Sequence, residues 1–556
     1  MRRSIAARIS ATLGRVAGAV AGAVAGCGHA PSGPPAPVRV AQPRLVVLLV
    51  IDQLPSWAFT RDRALFTGGL GRLLREGAVV PTAELPYVNT FTAPGHATIG
   101  TGAPPAVHGI LGNTWYRRDT GTDLPAEFDA QAPTFGLGDR AGAALPPVSG
   151  AALRVDGLAD QLRTSSGGRA RSVAIGLKAR AACLIAGRHP DLAVWYDADA
   201  GGMTTSRAYA AQLPPWLDQL ARAHPVGRFV GQAWTPLDPA LLARATGVAD
   251  GRPGEGDVHG LGTTFPHPVV DAEAIVQTPF GDQVVFDAVD AALARLDLGD
   301  DDAPDLLAIS LNAHDYIGHT FGPESWEILD ATLRLDQRLG AWFEALDRQL
   351  GADGWAIVVT SDHGATPLPE GAAAAGARRI PPRDIEAAAE AALVAELGAG
   401  PWIADTGSNQ VFFTARWAAV PAAARTPALA AAAAAIAGLP GVERVIPTAA
   451  LLADCSPRTG LERAACLGLA PDLAGELLVV PRRGSSMSAY ATGTHHDAPN
   501  DDNRQVPVLV RAPGLEAQTG TGSLLQVAPT VAALLGIPAP PAATAPALFG
   551  LDRRRR

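Results

Sequence analysis

Lysine is almost absent from this chain. Its 45 basic residues include a single lysine, Lys178, and all the others are arginines. An ammonium is a compact point charge and a guanidinium is a planar fork, so the two are not interchangeable at a tightly built site. We therefore interpret Lys178 as marking a position that needs a compact cation, with chance retention of one lysine as the alternative.

Other shortages exclude several classes of protein. Four cysteines in 556 residues exclude a disulfide scaffold, although Cys455 and Cys466 could pair in an oxidising compartment, and Cys183 is expected to be buried. The formal net charge of −9 argues against nucleic acid as a partner. The sequence contains no nucleotide P-loop and no Rossmann glycine fingerprint. The length and the 47% apolar content indicate one large domain with insertions.

The chain begins with the pattern of an export signal. Several arginines precede a small, apolar run, Val16–Ala25, that is too short to span a bilayer comfortably. The run ends in Val24-Ala25-Gly26-Cys27, which resembles a bacterial lipobox. Residues 1–27 are therefore predicted to be a signal peptide with Cys27 lipidated, and residues 28–43 a flexible linker. An ordinary signal peptide with an incidental cysteine is the alternative, and both predict an exported protein that is periplasmic, anchored to the outer membrane, or secreted.

Three continuous apolar runs predict the centre of a parallel β-sheet. Leu45–Ile51, Leu306–Leu311 and Trp355–Thr360 have the composition of strands that are buried on both faces. The predicted fold class is α/β, with a mostly parallel sheet flanked by helices in a domain spanning residues 44–545. Residues 114–268 and 367–481 are predicted to be inserted cap regions, and residues 546–556 a tail. The predicted helices include Arg61–Glu76, Gly281–Leu296, Ser325–Leu350, Ala422–Ala437 and Ile385–Gly398, the last with Asp384 as its N-cap.

The stretch YVNTFTAPGHATIGTG, Tyr87–Gly102, presents a hydroxyl group before a helix-like run. Thr92 is predicted to stand in a turn made by Pro94 and Gly95. Backbone N–H groups at a helix start favour an anion, so a phosphoryl group suits this position. An ordinary loop before a helix is the alternative.

Three further side chains suit the oxygens of a phosphoryl group. Asn113 ends a glycine-punctuated turn and can offer an amide donor. Lys178 and Arg180 follow a short strand and are two residues apart, so on an extended chain they would point the same way. Together they would grip phosphate oxygens, with the arginine able to be bidentate. A pair of surface cations is the alternative.

Carboxylates and histidines gather after the same three buried runs. Aspartate and histidine ligands suit zinc, and two clusters indicate two metals. Two neighbouring metals stabilise both the attacking and the leaving oxygens of a phosphoryl displacement. The candidate ligands are Asp52, Asp315, His319, Asp362, His363 and the pair His495 and His496.

These motifs resemble the alkaline phosphatase superfamily, and most closely its monomeric, phosphate-irrepressible phosphatases with a threonine nucleophile. The matching segments are VVLLVIDQ, NTFTAPGHATIGTG, AVHGILGNTWY, IGLKARAACLIAG, NAHDYIGHTFGPES, VVTSDHG and GTHHDAPNDDNRQVPVLV. The resemblance implies an alkaline-phosphatase-like fold and a monomer that hydrolyses small phosphomonoesters through a phosphothreonine, with two Zn²⁺ ions.

The resemblance also implies a role for each site residue. Gly493–Pro499 aligns without a gap on the family pattern Gly-Thr-Thr-His-Gly-Ser-Pro, which makes His496 the ligand and leaves His495 where the family has threonine. Asn113, Lys178 and Arg180 correspond to phosphate-contacting residues. The implied zinc ligands are Asp52, Asp362, His363 and the Thr92 oxygen for one ion, and Asp315, His319 and His496 for the other. The histidines expected to be structural are His96, His108 and His314.

Four rival functions remain at this level. A phosphodiesterase or nucleotide pyrophosphatase of the same superfamily shares the metal ligands but lacks the Lys-x-Arg pair. A sulfatase would need a cysteine or serine in a C/S-x-P-x-R setting, and this sequence has none. A cofactor-independent phosphoglycerate mutase would use a serine nucleophile and stay in the cytoplasm. From a different class, a non-catalytic surface lipoprotein that binds phosphate or metal would leave the combination of nucleophile and ligands unexplained.

Overall fold

The computed structural model describes residues 42–552, so Cys27 and the predicted signal peptide lie outside the described residues. The strands of this part of the chain form one ten-stranded, one four-stranded and two two-stranded sheets. In chain order they are β1 (Leu45–Ile51), β2 (Ala78–Glu84), β3 (Thr114–Arg117), β4 (Thr122–Pro125), β5 (Ser172–Gly176), β6 (Leu192–Asp197), β7 (Gly202–Thr204), β8 (Ala233–Trp234), β9 (His267–Pro268), β10 (Asp305–Leu311), β11 (Trp355–Thr360), β12 (Ile403–Gly407), β13 (Gln410–Phe413), β14 (Val442–Pro447), β15 (Leu477–Pro481), β16 (Gln505–Arg511), β17 (Gln518–Thr519) and β18 (Gly522–Ser523).

The large sheet is mostly parallel. Its order is β17-β2-β16-β11-β1-β10-β5-β6-β7, with β18 also paired to β2. The five central strands, β11-β1-β10-β5-β6, are parallel. The strand β16 runs antiparallel to both β11 and β2, and β7 runs antiparallel to β6. This arrangement confirms the predicted α/β class.

The strand β1 occupies the middle of this sheet, and all seven of its residues are buried. Its alternate side chains enter two separate cores, with Val47 and Leu49 on one face and Val46 and Leu48 on the other. A strand covered on both faces needs apolar residues at every position, which explains the uninterrupted run LVVLLVI. Because β10, β1 and β11 are parallel and paired along their length, the segments that follow them emerge at one edge of the sheet.

Helices cover both faces of the large sheet. Helices α10 and α12 contribute to the core that contains Val47, and α5 and α18 to the opposite core. The helices are α1 (Ser56–Asp62), α2 (Gly69–Glu76), α3 (Thr92–Thr101), α4 (Pro105–His108), α5 (Leu158–Ser166), α6 (Ala179–Leu184), α7 (Pro215–Ala223), α8 (Pro239–Thr246), α9 (Ala272–Ile275), α10 (Pro279–Arg295), α11 (Ala313–Phe321), α12 (Trp326–Leu350), α13 (Pro382–Leu397), α14 (Ala422–Ala437), α15 (Thr448–Ala453), α16 (Gly460–Gly468), α17 (Asp501–Arg504) and α18 (Val527–Leu535). Within residues 42–552, no helix has the length and apolar character needed to cross a membrane.

The prediction of one continuous helix over Arg61–Glu76 is wrong, because the helical structure is interrupted between α1 and α2. The N–H groups of Thr67 and Gly68 donate to the carboxylate of Asp336 on α12, at 2.8 and 2.6 Å. A Cβ atom at Gly68 would lie 2.1 Å from the Asp336 carbonyl oxygen, so only glycine permits this approach. The contact with α12 therefore overrides the local helical pattern.

Three other boundaries also differ from the predictions. Residues 172–204 supply β5, β6 and β7 to the large sheet, so the predicted insertion 114–268 is not wholly inserted. Helix α13 begins at Pro382, because proline suits a first turn that needs no N–H donor, and Asp384 lies inside it. Leu548 and Leu551 are buried, so the packed core extends beyond residue 545.

The four-stranded sheet, in the order β12-β13-β15-β14, lies within the predicted insertion 367–481. A two-residue turn, Ser408-Asn409, joins β12 to β13, and both residues have positive φ values of 50° and 62°. Such a turn matches the twist of a hairpin, and asparagine tolerates this backbone region better than most residues. Cys455 and Cys466 form a disulfide in this part of the chain, and Cys183 is a buried free thiol.

Candidate active site

Three buried carboxylates meet at the edge where the central strands end. Asp52 directly follows β1, Asp362 lies two residues beyond β11, and Asp315 is in the first turn of α11 after β10. Their exposed fractions are 0, 0 and 1%. Burying charged carboxylates is costly unless cations pair with them, so this edge requires positive charge.

One cluster consists of Asp52, Asp362 and His363. The Nε2 atom of His363 lies 3.3 Å from Asp52 Oδ1 and 3.4 Å from Asp362 Oδ2. Among the described residues, Asp52 Oδ1 and His363 Nε2 have no hydrogen-bond partner, and Asp362 Oδ2 has only His96 Nδ1 nearby, at 3.1 Å. Buried polar atoms are normally satisfied, and these three converge within 4.8 Å of one another. Their arrangement and chemistry fit a metal cation.

A second cluster is centred on Asp315. Its Oδ1 atom lies 3.3 Å from His319 Nε2 and 3.7 Å from His496 Nε2. Ligand atoms of Asp315, His363 and His496 also lie within 4.8 Å of one another. The rings of His363 and His496 stack with centroids 3.7 Å apart, so His363 lies between the two clusters.

Backbone carbonyls determine which nitrogen of each histidine faces the carboxylates. The Nδ1 atoms of His363 and His319 meet the carbonyl oxygens of Gly364 and Thr494 at 2.9 and 2.6 Å, and Nδ1 of His496 meets that of Thr90. A carbonyl only accepts, so each Nδ1 carries the hydrogen and each Nε2 keeps a free lone pair. This is the usual arrangement around metal-binding histidines.

His495 lies differently from His496. Its ring packs edge-on against His319, with centroids 4.9 Å apart, and only His496 of the pair brings a ring nitrogen near Asp315. Burial and the neighbouring His319 lower the pKa of His495 to about 3. The geometry therefore favours His496 over His495 as a ligand.

The buried carboxyl groups differ in pKa. Burial raises the pKa of Asp52 to about 6, and repulsion from Asp315 and Asp362 adds to this effect. Burial alone would also raise the pKa of Asp315, but His319 and Lys178 lower it well below the usual range. The Lys178 ammonium lies 2.9 Å from Asp52 Oδ2 and also contacts Asp315 Oδ2. One lysine balances one of three carboxylates, which leaves negative charge for further cations.

Thr92 is the first residue of α3 and is only 1% exposed. Pro94 and Gly95 belong to the first turn of this helix, so the predicted separate turn is wrong. The start of the helix packs directly on Asp362, because a Cβ atom at Gly95 would lie 2.5 Å from the Asp362 carbonyl oxygen. Nδ1 of His96 lies 2.9 Å from the Thr92 carbonyl oxygen and 3.1 Å from Asp362 Oδ2. Thr92 is thus held beside the first cluster.

The three predicted phosphate-binding residues are placed by different elements. The Asn113 side-chain oxygen accepts the N–H of Ala93 at 2.8 Å, which leaves its amide N–H groups as the free end. Lys178 has an extended backbone immediately before α6, whereas Arg180 is the second residue of that helix. The prediction that both lie on extended chain is therefore wrong. Nε of Arg180 lies 3.6 Å from a Glu127 carboxylate oxygen.

Sequence reasoning missed two amides that hold the carboxylates. Gln53 Nε2 donates to Asp315 Oδ1 at 2.6 Å, and Asn312 Nδ2 donates to Asp52 Oδ2 at 2.7 Å. The Asn312 oxygen also accepts the N–H of Lys178 at 3.0 Å. Their position was the available signal, because each lies within two residues of the end of a buried strand.

Two other histidines are buried among protein partners. His314 Nδ1 lies 3.1 Å from the Asp52 carbonyl oxygen, and His108 Nε2 lies 3.1 Å from the Thr98 hydroxyl. Burial lowers the pKa of His108 to about 3 and that of His314 to about 4. Both rings are neutral supports in this geometry.

Two cavities flank His319. The Asn113 cavity, of about 320 Å³, is lined by residues that include Phe91, Asn113, Ser408 and His496. The Tyr490 cavity, of about 400 Å³, is lined by residues that include Val258, Tyr316, Tyr490 and His495. His319 and His495 line both cavities, so each one reaches the second ligand cluster.

Comparison with known proteins identifies relatives along most of the chain. Alkaline phosphatase PhoV of Synechococcus elongatus is 34% identical over 340 residues, which cover 60% of this chain and 61% of that protein. Alkaline phosphatase PafA of Elizabethkingia meningoseptica is 33% identical over 334 residues, covering 59% and 60%. The chain thus spans 60–61% of the length of these two relatives. Alkaline phosphatase PhoK of a Sphingomonas species is 29% identical over 534 residues, or 90% of each chain.

The fold has a close counterpart among solved structures. The crystal structure of wild-type PafA superposes with a TM-score of 0.84 at 28% identity, covering 92% of this chain and 99% of the other. The predicted resemblance to the alkaline phosphatase superfamily is thereby confirmed. The family model for type I phosphodiesterase / nucleotide pyrophosphatase matches residues 46–399. The chain belongs to the type I phosphodiesterase / nucleotide pyrophosphatase family, with the fold of an alkaline phosphatase.

Proposed function

We propose that this protein is a metal-dependent phosphomonoester hydrolase that acts through Thr92. The observation that carries the proposal is the convergence of buried ligand atoms of Asp52, Asp362 and His363 beside the start of α3. The relatives named PhoV, PafA and PhoK are alkaline phosphatases, which supports the same activity here.

A solved variant of PafA supports the choice of reacting residues. It carries substitutions at a threonine, an asparagine, a lysine and an arginine. Its threonine-to-asparagine spacing equals that of Thr92 and Asn113, and its lysine-to-arginine spacing equals that of Lys178 and Arg180. We assign the corresponding roles to these four residues of this chain.

The proposed metals are two Zn²⁺ ions. Asp52, Asp362 and His363 would hold one ion, with the Thr92 oxygen as a further ligand. The imidazole and carboxylate ligands are those that zinc prefers. When bound, zinc would lower the pKa of the Thr92 hydroxyl and stabilise negative charge on the departing oxygen. The residues proposed for the second ion are Asp315, His319 and His496.

The chain's own residues then carry the transfer. The Thr92 oxygen attacks phosphorus, and the P–O bond to the alcohol breaks as the new P–O bond forms. Thr92 gives up its hydroxyl proton, and the alkoxide leaves with the bonding electrons and takes up a proton to become the alcohol. Water later cleaves the phosphothreonine, which releases inorganic phosphate and restores the Thr92 hydroxyl. His96 holds the Thr92 carbonyl oxygen and so orients the start of α3. Asn113, Lys178 and Arg180 bind the non-bridging oxygens, where charge remains in a loose transition state.

The charge of the substrate separates this function from its nearest rival. The family model is named for phosphodiesterases, and a diester carries one negative charge where a monoester carries two. Lys178 contacts two of the proposed ligand carboxylates and Arg180 follows it in α6, and in the proposed binding mode both cations contact the phosphoryl group. Paired cations favour the dianion, and we therefore propose small phosphomonoesters as substrates.

Hydrolysis of p-nitrophenyl phosphate and of bis-p-nitrophenyl phosphate tests the proposal. Thr92→Ala should abolish turnover, because the nucleophile is lost, and should retain bound zinc, because Asp52, Asp362 and His363 remain as ligands. The double variant Lys178→Ala with Arg180→Ala should lower kcat/KM for the monoester far more than for the diester. Full activity of Thr92→Ala would end the proposal, and equal losses on both esters would favour the phosphodiesterase. Catalysis that survives complete removal of metal by a chelator would contradict the metal requirement.

We also propose that the protein is exported and anchored through a lipid on Cys27. The disulfide between Cys455 and Cys466 supports export, because such bonds persist in oxidising compartments. Membrane fractionation after labelling with radioactive palmitate should show label in the full chain and none in Cys27→Ser. Label that persists in the variant would contradict the anchor.

A further inference from the structure

We propose that Tyr490 and His495 form a subsite for a planar, aromatic leaving group. The inference rests on the phosphomonoesterase activity proposed above and adds the class of alcohol that the site prefers. It places the organic part of the ester in the Tyr490 cavity, on the side of the second ligand cluster.

The Tyr490 cavity begins at a proposed metal ligand. His319 lines it, and the side chain of His319 is 27% exposed, whereas those of Asp315 and His496 are only 2% and 4% exposed. In the reaction proposed above, the leaving oxygen would lie on the side of this cluster. The group attached to that oxygen therefore has open space beside His319.

The wall of this cavity carries an exposed aromatic side chain. Tyr490 is 72% exposed, the largest fraction among the exposed large apolar residues of the described chain, 42–552. Its ring is nearly parallel to that of His495, with an angle of 12° and centroids 6.5 Å apart. Carbon atoms in contact lie about 3.5 Å apart, so a third ring between these two would need about 7 Å, more than the centroid separation of 6.5 Å. The two rings therefore present nearly parallel aromatic surfaces, and a planar group would stack on the exposed face of Tyr490 with His495 beside it.

Hydrogen bonds anchor the segment of chain between Tyr490 and His495. Gly493 donates its N–H to the Gly254 carbonyl oxygen at 2.6 Å, and the Thr494 hydroxyl donates to the Thr366 carbonyl oxygen at 2.7 Å. The Thr494 carbonyl oxygen also meets His319 Nδ1. Because Gly493 and Thr494 are anchored on both sides, the backbone that leads into His495 is fixed relative to the ligand cluster.

The opposite side of the Tyr490 cavity approaches Lys178, one of the proposed phosphate-binding residues. Tyr316 lines the cavity, and its ring centroid lies 4.7 Å from the Lys178 ammonium. A substrate whose phosphoryl oxygens bind Lys178 thus has an aromatic surface within reach. The Asn113 cavity has one phenyl ring, that of Phe91, together with the polar groups of Ser408, Asp123 and Asn113. The two tyrosine rings, of Tyr316 and Tyr490, make the Tyr490 cavity the better match for a planar alcohol.

The sequence departs from its family at this point. His495 stands where the family pattern given above has threonine, a residue without a ring. His495→Thr removes one of the two faces and restores the family residue. Tyr490→Ala removes the other face, and Tyr490→Phe retains it.

The test compares phenyl phosphate with glycerol 2-phosphate. An aromatic contact adds about 2- to 12-fold in affinity, so Tyr490→Ala and His495→Thr should each lower the ratio of kcat/KM for phenyl phosphate over glycerol 2-phosphate by about that factor. Tyr490→Phe should retain the wild-type ratio. The matched control is Phe128→Ala, an exposed aromatic outside both cavities, which should leave both rates unchanged.

Binding of non-hydrolysable phosphonates separates the subsite from the reaction. Calorimetry on the zinc-loaded protein should show tighter binding of phenylphosphonate than of methylphosphonate, and Tyr490→Ala should remove the difference. An unchanged preference in Tyr490→Ala, by rates and by calorimetry, would overturn the subsite even if the enzyme is active. A wild-type protein that hydrolyses neither ester would refute the proposed function, while the phosphonate comparison would still decide the subsite.

Discussion

The substitution Glu255→Gln should make the protein relatively more stable at alkaline pH. Glu255 is 5% exposed, and its Oε2 atom is buried without a hydrogen-bond partner. Burial raises the pKa of Glu255 from 4.5 to about 8, with repulsion from Glu327 and Asp250 adding to the shift and Arg252 opposing it. The fold thus favours a neutral carboxyl group at this position.

The sign of the effect follows from proton binding. Between pH 4.5 and about 8 the folded state holds the Glu255 proton and the unfolded state does not. The stabilising contribution of this proton is complete below pH 4.5 and is lost as the pH rises through about 8. The difference in pKa corresponds to roughly 3 to 5 kcal/mol of unfolding free energy over this window. Glutamine has a similar shape and no proton to lose, so it removes this dependence.

Guanidinium unfolding at pH 5, 7 and 9 in one zinc-containing buffer measures the effect. The free energy of unfolding of Glu255→Gln minus that of the wild type should rise steadily with pH. Other titrating groups cancel in this difference. Glu443→Gln, at an exposed position, is the matched control and should give a difference that is constant with pH. A constant difference for Glu255→Gln as well would refute the reasoning.

Three further results are expected. Gly95→Ala should abolish phosphatase activity and weaken zinc binding, measured by metal analysis, because its methyl group would lie 2.7 Å from Asp362 Cβ; an active, zinc-replete variant would contradict the packing. Cys455→Ser with Cys466→Ser should lower the unfolding free energy by about 3 kcal/mol and leave kcat unchanged. Removing metal with a chelator should abolish hydrolysis and lower the melting temperature, and added Zn²⁺ should restore both.

Local sequence was sufficient where burial dictates composition. The runs in β1, β10 and β11 were predictable because strands covered on both faces must be apolar throughout. The charged residues just beyond them stood out for the same reason. The sequence alone therefore indicates that Asp52 and Asp362 are neighbours, although it does not give their distances from His363.

Long-range contacts account for what the sequence missed. The interruption of the helix before α2 depends on hydrogen bonds to Asp336, a residue distant in the sequence. The sequence around Gly68 therefore gives no sign of this interruption. The prediction placed Arg180 on extended chain, where residues two apart point the same way. In a helix they do not, and Arg180 lies in α6, which begins at Ala179. The ring pair of Tyr490 and His495 likewise depends on how their loop folds.

The hairpin turn Ser408-Asn409 links the four-stranded sheet to the proposed active site. The Ser408 hydroxyl donates to the Thr114 carbonyl oxygen at 2.7 Å, and the Asn409 amide donates to the Asp497 carbonyl oxygen. The turn belongs to the four-stranded sheet and forms part of the wall of the Asn113 cavity. The three buried carboxylates, in contrast, lie at the edge of the large sheet. Because Asn409 holds the residue that follows His496, a change in the hairpin would alter the wall of this cavity and the position of a proposed metal ligand together.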